Sequence, residues 1–150
     1  MGTKKVLKTG TSLLERVRET TTLLRTLPLT FGDTLSEHMM RLDITNERMA
    51  EKLGVSDRWV SSLRNVIVPK VRMSMLVAIC ISLQLEPELS EDLIRKAGLH
   101  FLFTEEHVLY GWLLRNMYEE TLERCNQVLN EAGYASLNSG FSKKSKENLQ

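Results

Sequence analysis

The chain contains few of the residues that mark specialised classes of protein. Its 150 residues include two cysteines, three prolines and a 6% share of aromatic residues. No apolar run approaches the roughly 18 residues of a transmembrane helix, and no apolar segment follows the N-terminal lysines as it would in a secretory signal. Cys80 and Cys125 could pair, but without a signal peptide we expect reduced thiols in a cytoplasmic protein of about one domain.

A large excess of one charge sign is also missing. Twenty Lys and Arg face nineteen Asp and Glu, which gives a net charge of +1. That balance excludes a wholly basic protein of the histone or ribosomal kind, and a hydrophobic fraction of 42% excludes a disordered polyelectrolyte. The charge is nevertheless uneven, because residues 41–72 carry seven bases and four acids while residues 34–98 carry nine of each. One basic face is therefore compatible with the neutral total.

The sequence lacks the motifs that are typical of catalytic, metal-binding and phosphate-binding sites. The three histidines do not stand near cysteines or acids at metal-ligand spacing, and neither a His-Glu-x-x-His motif nor a Cys-x-x-Cys pair occurs. No glycine-rich phosphate loop is present. We therefore expect neither an enzyme nor a metal or cofactor site.

Helical patterns dominate what is present, and strand signals are weak, so the predicted class is all-α. Residues 1–32 are predicted to form an arm or linker, helical in part over 12–27. Residues 33–98 are predicted to form a compact five-helix domain, and residues 99–137 a C-terminal helical pair. The Ser/Lys/Asn-rich stretch 138–150 is predicted to be a disordered tail.

Hydroxyl side chains stand where helices should begin, because they can accept hydrogen bonds from the free N–H groups of a first turn. In the five-helix domain the predicted caps are Thr34, Thr45, Ser56, Ser74 and Ser90, opening helices to about residues 41, 53, 65, 83 and 97. In the C-terminal pair they are Thr104 and Thr121.

The first helix of the C-terminal pair is apolar on more than one side. Eight of the fourteen residues 105–118 are large and apolar, which is too many for a helix that buries one face only. This helix is therefore the candidate for homodimerisation or for packing across the domain. The candidate interface residues are Val108, Leu109, Trp112, Leu113 and Tyr118.

Residues 46–63 carry the pattern of two short helices crossing at a tight turn. Ala50 is small where the helices would cross, Gly54 suits a left-handed turn, and Val60 and Leu63 would hold the second helix against the first. Together with Asn46, these residue types occur at the spacing that a helix-turn-helix unit requires.

The stretch 44–65 resembles the phage-repressor or Cro-like helix-turn-helix family, also called the xenobiotic-response-element family. The resemblance extends over residues 33–98, less than half of the chain. It implies a five-helix domain whose third helix enters the major groove of double-stranded DNA, usually in a dimeric transcriptional regulator.

The resemblance also implies roles for individual residues. Ser56, Asp57, Arg58 and Ser62 fall at positions that face base edges, and Arg58 could grip guanine bidentately. Asn46 and Asn65 fall where family members touch the DNA backbone. The nearby bases Arg64, Lys70 and Arg72 could supply further phosphate contacts.

A protein-protein interaction module on the same scaffold is the alternative. The zero net charge of residues 34–98 favours it, as does the apolar stretch 66–68, where the family commonly has glycine and a base. Asp57 would repel phosphate at its groove-facing position. In that case residues 1–33 could tether the module to a missing N-terminal domain.

Overall fold

A computed structural model describes residues 10–139, which form eight helices and, within that range, no strand. This confirms the predicted all-α class. None of these helices combines the length and the apolar character needed to cross a bilayer. The helices are α1 (Gly10–Thr26), α2 (Phe31–Arg41), α3 (Asn46–Leu53), α4 (Asp57–Leu63), α5 (Met73–Ser82), α6 (Pro87–Lys96), α7 (Glu105–Asn116) and α8 (Leu122–Glu131).

Helix α5 is the centre of the core. Nine of its ten residues are buried, and α3, α6, α7 and α8 all pack against it. The same hydrophobic core includes Leu113 from α7 and Cys125 from α8, each 0% exposed. The predicted C-terminal pair therefore covers α5 and completes its burial, and does not stand apart from the helices before it.

Helix α1 confirms the helix predicted over residues 12–27. The Thr21 hydroxyl donates to the Val17 carbonyl at 2.7 Å, so one β-branched residue of the threonine run is accommodated inside the helix. The C-terminal half of α1 packs near α6, with Leu23 and Leu24 half-buried and Leu27 buried. This part of the predicted arm is thus a packed helix, and residues 1–9 lie outside the described range.

Four of the seven predicted caps are confirmed. Each hydroxyl accepts a hydrogen bond from the backbone N–H three residues later, at 3.1–3.2 Å. These caps are Thr45, Ser56, Thr104 and Thr121.

The other three predicted caps are wrong because their helices begin earlier. Thr30 caps α2, so Thr34 lies inside the helix and is buried. Helix α5 begins at Met73 without a side-chain cap, which leaves Ser74 in its first turn. Helix α6 begins at Pro87, where the missing N–H of proline costs nothing, and Ser90 is buried one turn further on.

The connection between α4 and α5 packs against the first turn of α2. The N–H groups of Gly32 and Phe31 donate to the carbonyls of Val66 (2.9 Å) and Ile67 (3.2 Å). A Cβ on Gly32 would lie 2.6 Å from the Val66 carbonyl oxygen, closer than packed atoms allow. The main chain of the apolar stretch 66–68 is therefore held by α2, while the Ile67 and Val68 side chains remain exposed.

Residues 134–139, here called the C-terminal strap, return from α8 to the end of α3. Leu137 is buried, and its N–H donates to Asn126 Oδ1 at 2.7 Å. Asn138 accepts from Asn126 Nδ2 at 3.2 Å and donates from its own Nδ2 to the Leu53 carbonyl at 2.7 Å. The first two residues of the predicted tail, Asn138 and Ser139, thus have a defined position, and the remaining residues, 140–150, lie outside the described range.

Candidate nucleic-acid interface

Helices α3 and α4 pack against each other across a short turn. Gly54 takes up the left-handed conformation (φ 76°, ψ 35°), and its N–H donates to the Ala50 carbonyl at 2.8 Å. Ser56 then begins α4 by accepting from the Trp59 N–H. Ala50 and Val60 are buried, as the sequence pattern predicts. The turn therefore holds α4 at a fixed angle to α3 and exposes its outer face.

An open cleft lies between the start of α3 and the outer face of α4. The structure brings four predicted site residues to it, and three residues that were not predicted complete its lining. The predicted four are Asn46, Asp57, Arg58 and Arg64, and the additional three are Thr45, Glu47 and Ser61. Helical spacing could have identified Ser61, which follows Asp57 by four residues and Arg58 by three.

Arg58 is the free cation of this cleft. Its side chain is exposed in the first turn of α4, and it makes no hydrogen bond or ion pair to any other residue in the range 10–139. All five guanidinium N–H donors are thus available to a ligand. Asp57 precedes it on the helix and is also exposed, so the outer face of α4 presents one cation beside one anion.

Arg64, a predicted phosphate contact, makes two hydrogen bonds within the protein. Its Nη1 donates to Asn46 Oδ1 at 2.6 Å, and its Nε donates to Ser36 Oγ at 3.0 Å. These bonds tie the end of α4 to both α2 and α3, and Arg64 is half-buried. Arg64 therefore positions Asn46, whose Nδ2 remains a donor, and no sequence signal linked the two.

The remaining predicted contacts do not line the cleft. The Ser56 hydroxyl is occupied as a cap, and Asn65 Nδ2 donates to the Ser61 carbonyl at 2.9 Å. Ser62 is exposed on α4, and Lys70 is exposed in the connection that follows it.

Arg72 lies apart from the cleft. It lines a different cavity together with Glu106 and Tyr110 of α7. The structure therefore does not bring Arg72 together with the other predicted phosphate contacts, because the chain crosses to the α7 side before α5 begins.

The predicted interface on α7 is only partly at the surface. Val108 and Trp112, one turn apart, are 60% and 45% exposed. Leu109 is half-buried against the core, and Tyr118 is half-buried and accepts from Arg16 Nη2 at 3.1 Å. Leu113 is 0% exposed, so its assignment to an interface is wrong: α7 buries that side against α5 and α6.

The cysteines are free and buried. Burial raises the pKa of Cys80 to about 12 and that of Cys125 to about 11, so both thiols are protonated at neutral pH and poor nucleophiles. Among residues 10–139, no group of three or more His, Cys, Asp and Glu could hold a metal ion.

A scan against family models finds no matching family, and searches of curated proteins and of solved structures return no match. A functional interpretation of the cleft therefore depends on its own geometry and chemistry.

Proposed function

We propose that the chain is a sequence-specific DNA-binding regulator that places α4 in the major groove of double-stranded DNA. The observation that carries this proposal is the free guanidinium of Arg58 on the exposed first turn of α4. It stands beside a cleft in which Arg64 orients Asn46. The turn at Gly54 and the resemblance of residues 44–65 to the Cro-like family support the same role.

In this proposal α3 and α4 form the helix-turn-helix of a five-helix domain, α2 to α6, and α7 and α8 are the appended pair. Arg58 reads a base edge, with Asp57 and Ser62 beside it, and Asn46 donates to a phosphate through Nδ2. Lys70 adds a phosphate contact. The role is a binding function in the cytoplasm and requires no catalytic step or cofactor.

A homodimer would place two α4 helices in successive major grooves, about 34 Å apart. The exposed pair Val108 and Trp112 on α7 is the proposed dimer contact. Trp112→Arg should halve the mass measured by sedimentation and leave the helical content unchanged. A mass that is equal in both proteins would remove α7 from the interface.

The test of DNA reading begins with selection of bound sequences from a random duplex library. Arg58→Gln should weaken binding of the selected site by about 10–100-fold and relax the preference at one base pair, because a bidentate arginine–guanine contact is worth about 1–3 kcal/mol. Arg124→Gln, an exposed arginine on α8, is the matched control and should bind as the wild type does. No enriched sequence, or a dissociation constant weaker than about 10⁻⁴ M at physiological salt, would contradict the proposal.

A second candidate is a protein-interaction module. Leu29, Ile67 and Val68 are 90%, 70% and 58% exposed, and the bond from the Phe31 N–H to the Ile67 carbonyl holds this connection beside the start of α2. Ile67→Asp would then abolish capture of a protein partner while DNA selection yields nothing. Unchanged capture by Ile67→Asp would count against this candidate.

A further inference from the structure

A groove of about 390 Å³ separates α1 from the start of α6 and the end of α7. We call it the α1 groove and define it by Leu13, Val17 and Leu24 on one wall and by Glu86, Arg115 and Tyr118 on the other. Its volume falls within the range of small-molecule sites, about 300–1,000 Å³. It lies among helices that the proposed DNA contacts do not involve.

The wall formed by α1 carries an uncovered apolar stripe beside the polar side chains of Arg16, Thr20 and Thr21. Leu13 is 48% exposed and Val17 is 49% exposed, and with Leu24 they form one stripe along the helix at spacings of four and seven residues. An amphipathic helix usually buries such a stripe. Within residues 10–139 only its C-terminal end reaches the core, so the rest is available to a ligand.

Hydrogen-bond donors stand on both walls, Arg16 on α1 and Arg115 and Tyr118 opposite it. Arg16 Nη2 donates to the Tyr118 hydroxyl oxygen at 3.1 Å, which leaves the hydroxyl hydrogen free to donate in turn. Arg115 is exposed and makes no hydrogen bond or ion pair within the described range. Two guanidinium groups and one phenol thus line the groove, and each is a type of group that donates to carboxylates.

The two acids of the groove already have compensating partners. Glu86 lies near the guanidinium groups of Arg16 and Arg41, and its charge favours their protonated forms. Glu88 stands in the first turn of α6, where the helix dipole favours a negative charge. Of the four charged residues that line the groove, Arg115 is the cation that makes no hydrogen bond or ion pair within residues 10–139.

We propose that the α1 groove binds a small amphipathic carboxylic acid. The apolar body lies against Leu13, Val17 and Leu24, and the carboxylate accepts from Arg115 and the Tyr118 hydroxyl. A ligand held in this way bridges α1 and α7, so it stabilises the packing of α1 on the rest of the chain. This binding does not depend on DNA recognition.

Three probes with one apolar body and different head groups test the proposal on the full chain: 4-phenylbutyrate, 4-phenylbutanol and 4-phenylbutylamine. Isothermal titration should give saturable binding of the carboxylate, at least about tenfold weaker binding of the alcohol, and no measurable binding of the amine. Equal affinity for all three, or no saturable binding of the carboxylate, would overturn the proposal.

Two variants locate the binding. Arg115→Gln should weaken 4-phenylbutyrate by about tenfold or more and leave the melting temperature of the free protein unchanged, because the side chain is exposed. Arg18→Gln, an exposed arginine on α1 outside the groove, is the control and should bind normally. Equal affinities of the two variants would remove Arg115 from the site.

A second copy of the chain is the competing occupant of the groove. Sedimentation of the wild type and of Val17→Arg distinguishes the two occupants. A dimer that Val17→Arg dissociates, and that 4-phenylbutyrate leaves intact, would overturn the proposal. A mass that does not change with Val17→Arg, together with loss of 4-phenylbutyrate binding, would support it.

Discussion

Gly32 lies where the first turn of α2 meets the carbonyl groups of Arg64 and Val66. A Cβ at this position would come within 2.7 Å of both carbonyl oxygens, and these atoms belong to the backbone, which cannot rotate away. We expect Gly32→Ala to lower the free energy of unfolding by about 1–3 kcal/mol through overpacking, measured by urea denaturation.

Gly111→Ala is the matched control for that change. Gly111 lies inside α7, and its added Cβ would meet only the tip of the Arg115 side chain, at 3.2 Å, which can move. Because alanine is the better helix former, Gly111→Ala should stabilise the protein by up to about 1 kcal/mol. Equal effects of the two substitutions would show that the carbonyl contacts of Gly32 are unimportant.

His38 couples stability to pH. Burial, and secondarily the Arg41 guanidinium, lowers the pKa of His38 from 6.5 to about 4; Lys96 acts in the same direction and Asp92 in the opposite one. Between pH 4 and pH 6.5, His38 therefore binds a proton in the unfolded chain but not in the folded one. The contribution of the neutral His38 ring to the free energy of unfolding is therefore fully present above pH 6.5, and it is lost as the pH falls toward 4. We expect a loss of about 1–2 kcal/mol between pH 7 and pH 5.

Urea titrations at both pH values test the role of His38. His38→Gln removes the titrating ring and should flatten the pH dependence, even if the variant is less stable overall. His100→Gln, at an exposed position, should keep the wild-type loss. An unchanged pH dependence in His38→Gln would assign the loss to other groups.

Single residues were predictable from the sequence where their role is local. Gly54 and Ser56 act within one turn, so their identity indicates their conformation. Arg64 and Asn46 are eighteen positions apart and meet only because α3 and α4 pack together, and Gly32 is fixed by a connection more than thirty residues away. The spacing of apolar residues along the sequence does not indicate contacts between such distant positions.

At the scale of helices and segments, the C-terminal strap supports the turn between α3 and α4. Asn138 donates to the carbonyl of Leu53 at the end of α3, a group that would otherwise lack a partner. Asn138→Ala should cost about 1–2 kcal/mol in the free energy of unfolding. Asn116→Ala, which removes an exposed bond to Trp112 within α7, is the control and should cost less than about 0.5 kcal/mol. Similar losses would indicate that the strap does not support α3.

Helix existence was predictable, whereas several helix starts were not. All eight helices correspond to predicted ones, because apolar spacing and capping residues agree in most of them. The starts of α2 and α6 were misplaced since a threonine or serine inside a helix looks the same in sequence as one at its cap. Thr34 and Ser90 are buried there by tertiary packing, which a local pattern does not contain.

For the whole molecule, the burial of α5 by helices from both halves implies one cooperative unit. The two tryptophans stand in α4 and α7, so each can report one half. In Trp59→Phe and Trp112→Phe, the remaining tryptophan should show the same urea midpoint in fluorescence as the far-ultraviolet circular dichroism of that variant. Two separate midpoints within one variant would mean that α7 and α8 unfold independently.

The candidate site was harder to predict from the sequence than the fold. The sequence indicated that α4 would present Asp57 and Arg58, and the structure brings both to a cleft with Asn46 and Arg64. It could not indicate that Arg64 is occupied by its neighbours or that Arg72 turns toward α7. The α1 groove, formed by residues from three distant parts of the chain, had no signal in the sequence.

The docking of the α4–α5 connection on α2 has a consequence for hydrogen exchange. Amides in the first turn of a helix usually exchange quickly, because no carbonyl of the helix accepts from them. The amides of Phe31 and Gly32 are bonded to Ile67 and Val66, so they should exchange only when the connection leaves α2. Their protection would therefore measure how often the segment directly after α4 opens in the native protein, without any ligand being present.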